Sequence, residues 1–238
     1  MISFWRHISS AKTYWIIALS GLIIAVIISL LITSFIVGES SYDRWNPNSQ
    51  HKARLQMTLK PPGSQPIELA GAARPLRLLL ESNYTDFVQT VTYFESIPGS
   101  IRIDDNNFNH TITVTDQHFF SIFNAEFTQQ SGPKPIASPG RVAIAQTLAE
   151  QLFPNKSPLG QNIIINSTYS AVIDAVYADF PKNSHYRPEV VFHSPDPEPS
   201  SFAINDWMSI SGYVYVLLQD GLSIEELSTQ FELSLIHI

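Results

Sequence analysis

An uninterrupted apolar run near the start limits what this chain can become. From Tyr14 to Val37 there are 24 residues without a charge, 19 of them apolar or aromatic. The exceptions, Ser20, Gly21, Ser29, Thr33 and Ser34, are all small. At about 1.5 Å per residue a helix of this length reaches roughly 35 Å, enough to cross a hydrocarbon core of about 30 Å. A helix is required there because lipid offers the backbone no hydrogen-bond partner. A helix buried in a soluble core rarely runs so far without a polar stripe. A cleaved signal peptide needs a shorter apolar region and a small-residue cleavage site. Gly38-Glu39-Ser40-Ser41-Tyr42 has no clear site of that kind. The run therefore reads as an uncleaved membrane anchor, with Tyr14 and Trp15 at one interface.

Charge sets the expected direction. Arg6 and Lys12 precede the run and no acidic residue does, whereas Glu39 and Asp43 follow it. The positive-inside rule keeps residues 1–13 in the cytoplasm, makes 14–37 the transmembrane helix and exports a domain from 38 to about 230. The exported part carries 12 basic and 21 acidic side chains, a balance that does not favour anionic headgroups. The whole chain, at −7, has no basic stripe for nucleic acid. Cysteine is absent, which excludes a disulfide scaffold, a thiol nucleophile and thiolate metal sites. Gly21, Ala25, Ser29 and Thr33 recur every four residues and form a ridge of small side chains. Such a ridge lets another membrane helix approach closely, so these four are the candidate helix-packing residues.

Downstream, short strands mixed with single helices predict an α+β domain rather than a doubly wound sheet. Arg54 to Lys60 alternates as one half-buried strand, and Pro75 opens a helix through Leu80. Phe87–Phe94, Ile101–Ile103 and Thr111–Thr115 read as strands, the last two around the polar turn Asp104 to Asn107. Asp116 is placed to cap a helix carrying Phe119, Phe120 and Phe123, whose rings are expected to pack in the core. Val142–Ile144 is a strand, and Gln146–Phe153 a helix that turns Leu148, Leu152 and Phe153 inward. Ile163–Ile165 and Ala171–Val176 predict a hairpin across Asn166-Ser167-Thr168, and Tyr213–Leu218 a further strand. Residues 181–200 read as a long loop around Val190-Val191-Phe192. Ser223 and Glu226 form a capping box that opens a last helix.

The search for chemistry is mostly negative. No Gly-Lys-Ser/Thr occurs, so the chain has no Walker A loop, and H-E-x-x-H, G-x-S-x-G and G-x-G-x-x-G are also absent. His185 and His193 stand eight apart in a proline-rich stretch and read as surface histidines, not metal ligands. Asp104-Asp105 belongs to a polar turn. Period 2 turns Asp174 to solvent, opposite Ile173 and Ala175, and Asp179 with Lys182 reads as a solvated pair. No catalytic, metal or cofactor-binding residue is assigned. Asn83, Asn109 and Asn166 begin N-x-S/T sequons, relevant only in a eukaryotic source.

Four segments carry a resemblance. The apolar helix running into Gly38-Glu39-Ser40-Ser41-Tyr42-Asp43-Arg44-Trp45 resembles the first helix of MacB/FtsX-type ABC transporter permeases. Val114 to Phe123 is similar to the D-x-x-F-F-x-x-F segment of the MacB-like periplasmic core domain. Val142 to Phe153 with Ser157 to Gln161 resembles its strand–helix–turn block. Ala171 to Val176 followed by Asp179-Phe180-Pro181-Lys182-Asn183-Ser184-His185 is similar to its D-F-P-x-n-S-H segment. Asp174 departs from the pattern, standing where the family usually has glycine.

The resemblance implies a permease subunit, or its N-terminal fragment, in a bacterial inner membrane. It implies a mixed α/β periplasmic core domain after one N-terminal span. A separate cytoplasmic ABC ATPase would use ATP, leaving this chain without a cofactor, and the permease would form a homodimer or pair. Residues 38–50 would pass motion to the domain for export or lipoprotein-release-type work. Residues 231–238 would be a truncated tail, since such permeases continue into further membrane helices. Two alternatives belong to other classes: a single-pass anchored periplasmic sensor or ligand-binding module, and an anchored hydrolase.

Overall fold

The computed structural model describes residues 12–47, 49–194, 207 and 209–235. The chain divides into two compact units, one of Met1–Trp45 with Asn183–His185, the other of Asn46–Lys182 with Tyr186–Ile238.

The first unit is built on helix α1, Lys12–Ser40. Every side chain from Tyr14 to Ser40 is exposed, and the apolar ones lie on all sides of the helix. A helix without a polar face and without a protein cover suits lipid as its solvent. Hydroxyls along it bond back to the helix backbone, Ser20 Oγ donating to Ile17 O at 2.9 Å and Thr33 Oγ1 to Ser29 O at 2.8 Å. By length and composition it is the one helix among the described residues able to cross a membrane.

The second unit is a mixed α+β domain. Strand β4, Val88–Ile103, runs for 16 residues and organises it. Its first half pairs antiparallel with β11, Tyr213–Leu218, which in turn pairs with β1, Lys52–Leu55. Helix α2, Pro75–Asn83, helps cover this part, where Leu76, Leu80, Val91, Val214, Val216 and Leu227 share a core. The second half of β4 joins β5, Asn106–Thr115, through a hairpin whose turn residue Asp104 takes φ 52°.

From there the hydrogen bonding closes on itself. β5 lies parallel to β10, Val190–His193, and β10 lies antiparallel to β7, Arg141–Ala145. β7 lies parallel to β9, Tyr169–Tyr177, which pairs with β8, Asn162–Ile165. β8 returns to β4 at Ile101 and Arg102. Side chains from all six strands, among them Ile101, Ile112, Ile144, Ile165, Ile173 and Phe192, meet in a second core with Leu148 of helix α4, Gln146–Leu152. Closing the ring removes the free edges that an open sheet would leave. Strand β6, Phe127–Gln130, adds to β9 outside it.

Between the two cores β4 passes from one partner set to the other at Phe94 and Glu95. An aromatic cluster fills this junction. Phe94 contacts Phe119 at 5.6 Å, Phe123 at 5.4 Å, Tyr186 at 4.5 Å and Tyr213 at 5.5 Å between ring centres. Phe119 and Phe123 are buried as expected, on and just after the one-turn helix α3, Phe119–Ile122, whereas Phe120 is only partly buried. Tyr186 donates or accepts at Ser96 Oγ, 2.6 Å away, and also bonds Thr113 Oγ1. Burial pushes its phenol up to about 12.

Several local expectations change. Arg54–Lys60 is not one strand: it breaks at Gln56, and β2, Met57–Leu59, leaves to form a separate hairpin with β3, Ile67–Leu69. Val88–Phe94 and Ile101–Ile103 belong to one continuous strand, with Phe87 in the turn before it. Val190–His193, read as loop, is an internal strand of the ring, its side chains from Val190 to Phe192 almost fully buried. Asp116 does not supply the cap of α3, whose N-cap is His118 with no side-chain bond. It instead accepts from Thr92 Oγ1 at 3.0 Å, Tyr93 N at 3.2 Å and His118 N at 2.8 Å, with Arg77 Nε 3.0 Å away. It thus joins α2, β4 and the approach to α3. Asp179 accepts the N–H and hydroxyl of Thr147, at 3.2 and 2.7 Å, at the start of α4. Among the described residues no ion pair links it to Lys182.

Asp174 is the clearest correction. The register of β7 against β9 steps from Val142↔Ile173 to Ala143↔Ala175, so Asp174 is the extra residue of a β-bulge. The bulge resets the alternation, which is why Ala175, Val176 and Tyr177 are all buried in succession. The Asp174 carboxylate turns to the β6–β7 connection, accepts Ile136 N at 3.0 Å and lies 3.7 Å from Arg141. Its side chain is 13% exposed, far from a solvated position.

Candidate functional site at the helix exit

Two of the segments that carry the resemblance, distant in sequence, come together in the first unit. After α1 the chain turns, with Ser41 N bonding Gly38 O at 3.1 Å. Asp43 then takes φ 56°, a left-handed conformation that Asp and Asn tolerate better than most side chains. In that conformation its backbone and its carboxylate both reach Asn183-Ser184-His185. Asp43 N donates to Asn183 O at 3.0 Å. Asp43 Oδ1 accepts the His185 N–H at 3.1 Å and the Ser184 hydroxyl at 3.2 Å. Asp43 Oδ2 lies 2.7 Å from His185 Nδ1, and since a carboxylate only accepts, the imidazole donates. Asn183 Nδ2 returns a hydrogen bond to Ser41 O at 2.9 Å. The His185 ring also leans on Tyr42, 4.6 Å between centres.

The second unit has its own clamp just after the helix exit. Lys52 Nζ donates to Asn46 Oδ1 and Pro47 O, both at 2.7 Å, and to Asn124 Oδ1 at 2.8 Å. Asn46 Nδ2 donates to Ile122 O at 3.3 Å. The first residues of the domain are thereby tied to the end of α3. Burial pushes the Lys52 ammonium down to about 8.

Among the described residues no group of three or more His, Asp or Glu side chains gathers to hold a metal ion. His193 Nδ1 lies 2.8 Å from Ile136 O and helps pin the β6–β7 connection. A shallow polar groove contains a His110–Glu189 pair at 3.0 Å beside Asn109 and Asn166. The ridge residues Gly21, Ala25, Ser29 and Thr33 lie along α1, away from the exit, and a side chain added at Gly21 would touch nothing. In the sequence, the Asp43 and Asn183–His185 segments stand only as separate strings. Nothing in either string announces its partner, 140 or so residues away.

The second unit is an α+β domain with a closed strand ring, and the chain before it carries a bare apolar helix long enough to cross a membrane. The sequence matches the MacB-like periplasmic core domain over residues 15–233, and the chain belongs to that family. It is accordingly the MacB-like periplasmic domain of an ABC transporter permease, a transporter component, with an N-terminal candidate transmembrane helix. A domain assigned to a permease protein from Porphyromonas gingivalis is similar in fold, with a TM-score of 0.67 at 16% identity over 82% of this chain and 85% of that one. The periplasmic region of MacB from Actinobacillus actinomycetemcomitans aligns with a TM-score of 0.47 at 15% identity over 67% and 71% of the two chains. The extracellular domain of the ABC-type transporter YknZ from Gram-positive bacteria aligns at 0.47 and 12% identity, over 75% and 87%. No curated protein matches the chain.

Proposed function

We propose that this chain is the permease subunit, or the N-terminal part of one, in which a separate cytoplasmic ATPase hydrolyses ATP and drives movement of the exported domain. The family match from residue 15 to residue 233 carries this reading, because it takes in the apolar helix and the domain as one piece. The absence of a Gly-Lys-Ser/Thr loop supports an energy source on another chain. Arg6 and Lys12 before the helix, and the acidic excess after it, support a cytoplasmic N-terminus and a periplasmic domain at the inner membrane. Gly21, Ala25, Ser29 and Thr33 pack α1 against another membrane helix, in a homodimer or a paired permease. The work done outside is export or lipoprotein-release-type transfer.

The test is affinity purification of the chain from native membranes in mild detergent, followed by mass spectrometry and an ATP hydrolysis assay. The expected result is co-purification of a protein with a Walker A loop and vanadate-sensitive hydrolysis. Recovery of a cytoplasmic signalling domain, with no ATPase, would replace this reading with a sensor.

A further inference from the structure

The two segments joined at the helix exit point to a mechanical role for one residue. We propose that Asp43 is a positioning residue that makes the end of α1 and the segment Asn183–His185 a single mechanical piece. Displacement of the helix then enters the domain through three points of the chain instead of one. The permease reading supplies only the source of the displacement.

The points follow from connectivity. α1 continues directly into the domain at Trp45–Asn46. Residues 183–185 continue into it on both sides, toward Lys182 and toward Tyr186. A helix joined to a domain by one extended stretch can swivel about its backbone dihedrals. A helix whose exit also grips a second, doubly connected stretch has far less freedom to do so.

The grip is concentrated in Asp43. An exposed ion pair by itself holds little, and the Asp43 and His185 side chains are 46% and 66% exposed. Here the same carboxylate also takes the His185 N–H and the hydroxyl of Ser184, which is buried at 6% exposure. The left-handed backbone at φ 56° is what aims the Asp43 N–H at Asn183 O while the carboxylate faces the next two residues. Alanine would lose both the acceptors and the tolerance for that conformation. Asparagine would keep the conformation and the Oδ1 acceptor, losing the charge and the second acceptor; its Nδ2 can instead donate to His185 Nδ1 when the ring carries its proton on Nε2.

The chain contains no cysteine, so paired labels can be placed cleanly. Nitroxides at Glu39→Cys and Lys182→Cys, in the full chain reconstituted in lipid nanodiscs, report the distance distribution across the grip by pulsed electron resonance. Wild-type Asp43 and Asp43→Asn should give one narrow distribution. Asp43→Ala and, separately, Asn183→Ala should broaden it about twofold or more, with the thermal transition of the domain unchanged by circular dichroism. A distribution for Asp43→Ala that superimposes on the wild type overturns the proposal. So does broadening seen only together with loss of the domain's transition in both variants. Absence of an associated ATPase would sink the permease reading and leave this comparison intact, so the two fail separately.

Discussion

At the scale of single residues, Lys52 shows how a cation can be used with no counter-ion among the described residues. Its ammonium holds two residues at the start of the domain and one after α3, all through uncharged oxygens. Burial lowers its pKa from 10.5 to about 8, and this fixes a sign. Below about pH 8 both folded and unfolded chains carry the charge, and the folded chain bears the full cost of desolvating it. Between about 8 and 10.5 the unfolded chain retains the proton that the folded chain has released, so stability gains as pH rises across that window. The gain is a modest one because the group is only half-buried. Urea denaturation of wild type and Lys52→Met should therefore show a stability difference that moves in favour of the wild type between about pH 7.5 and 10. A difference that stays flat, or moves the other way, would contradict the role assigned to burial.

At the scale of elements, β4 is the member that both cores depend on, and glycines mark where other segments approach it. A Cβ at Gly212 would sit 2.6 Å from Phe94 O and 2.4 Å from the Tyr93 ring. A Cβ at Gly99 would meet Ile112 Cδ1 at 2.5 Å and Asn166 Oδ1 at 2.6 Å, both ends of side chains that can turn aside. Overpacking of this kind costs about 1–3 kcal/mol. Gly212→Ala should lie at or above the top of that range, because a backbone carbonyl cannot yield, and Gly99→Ala nearer the bottom. Chemical denaturation of both variants decides the order, and equal or reversed costs would contradict the packing described at Gly212. The elements that sequence reasoning located well are those fixed by local chemistry. The alternation of Tyr213–Leu218, the helix from Gln146 and the Ser223–Glu226 box all follow from neighbours in sequence. In that box Glu226 Oε2 accepts Ser223 N at 2.8 Å and Ser223 Oγ accepts Glu226 N at 3.2 Å. What stayed hidden depends on distant partners. Val190–His193 is too short to announce itself until β5 and β7 flank it. The Asp174 bulge is invisible until β7 fixes the register. The helix-exit site was legible as two strings, and their meeting was not.

At the scale of the whole molecule, the sequence and structure describe a domain with a sealed ring of strands, a lipid-suited helix, and a polar knot where that helix ends. Polar side chains hold distant segments together: Asp116, Asp174, Asp179, Lys52 and Asp43 each bridge elements far apart in sequence. On the proposed reading this domain lies outside the membrane on an uncleaved anchor. Single cysteines at Ser9→Cys and Ser131→Cys, probed with a membrane-impermeant maleimide in spheroplasts, test it most directly, since the chain has no cysteine of its own. Residue 131 is exposed on the domain. It should label before lysis, residue 9 only after lysis, and both should remain on a full-length chain in the membrane fraction. Labelling in the reverse order, or recovery of the domain as a soluble fragment cut after the apolar run, would contradict it.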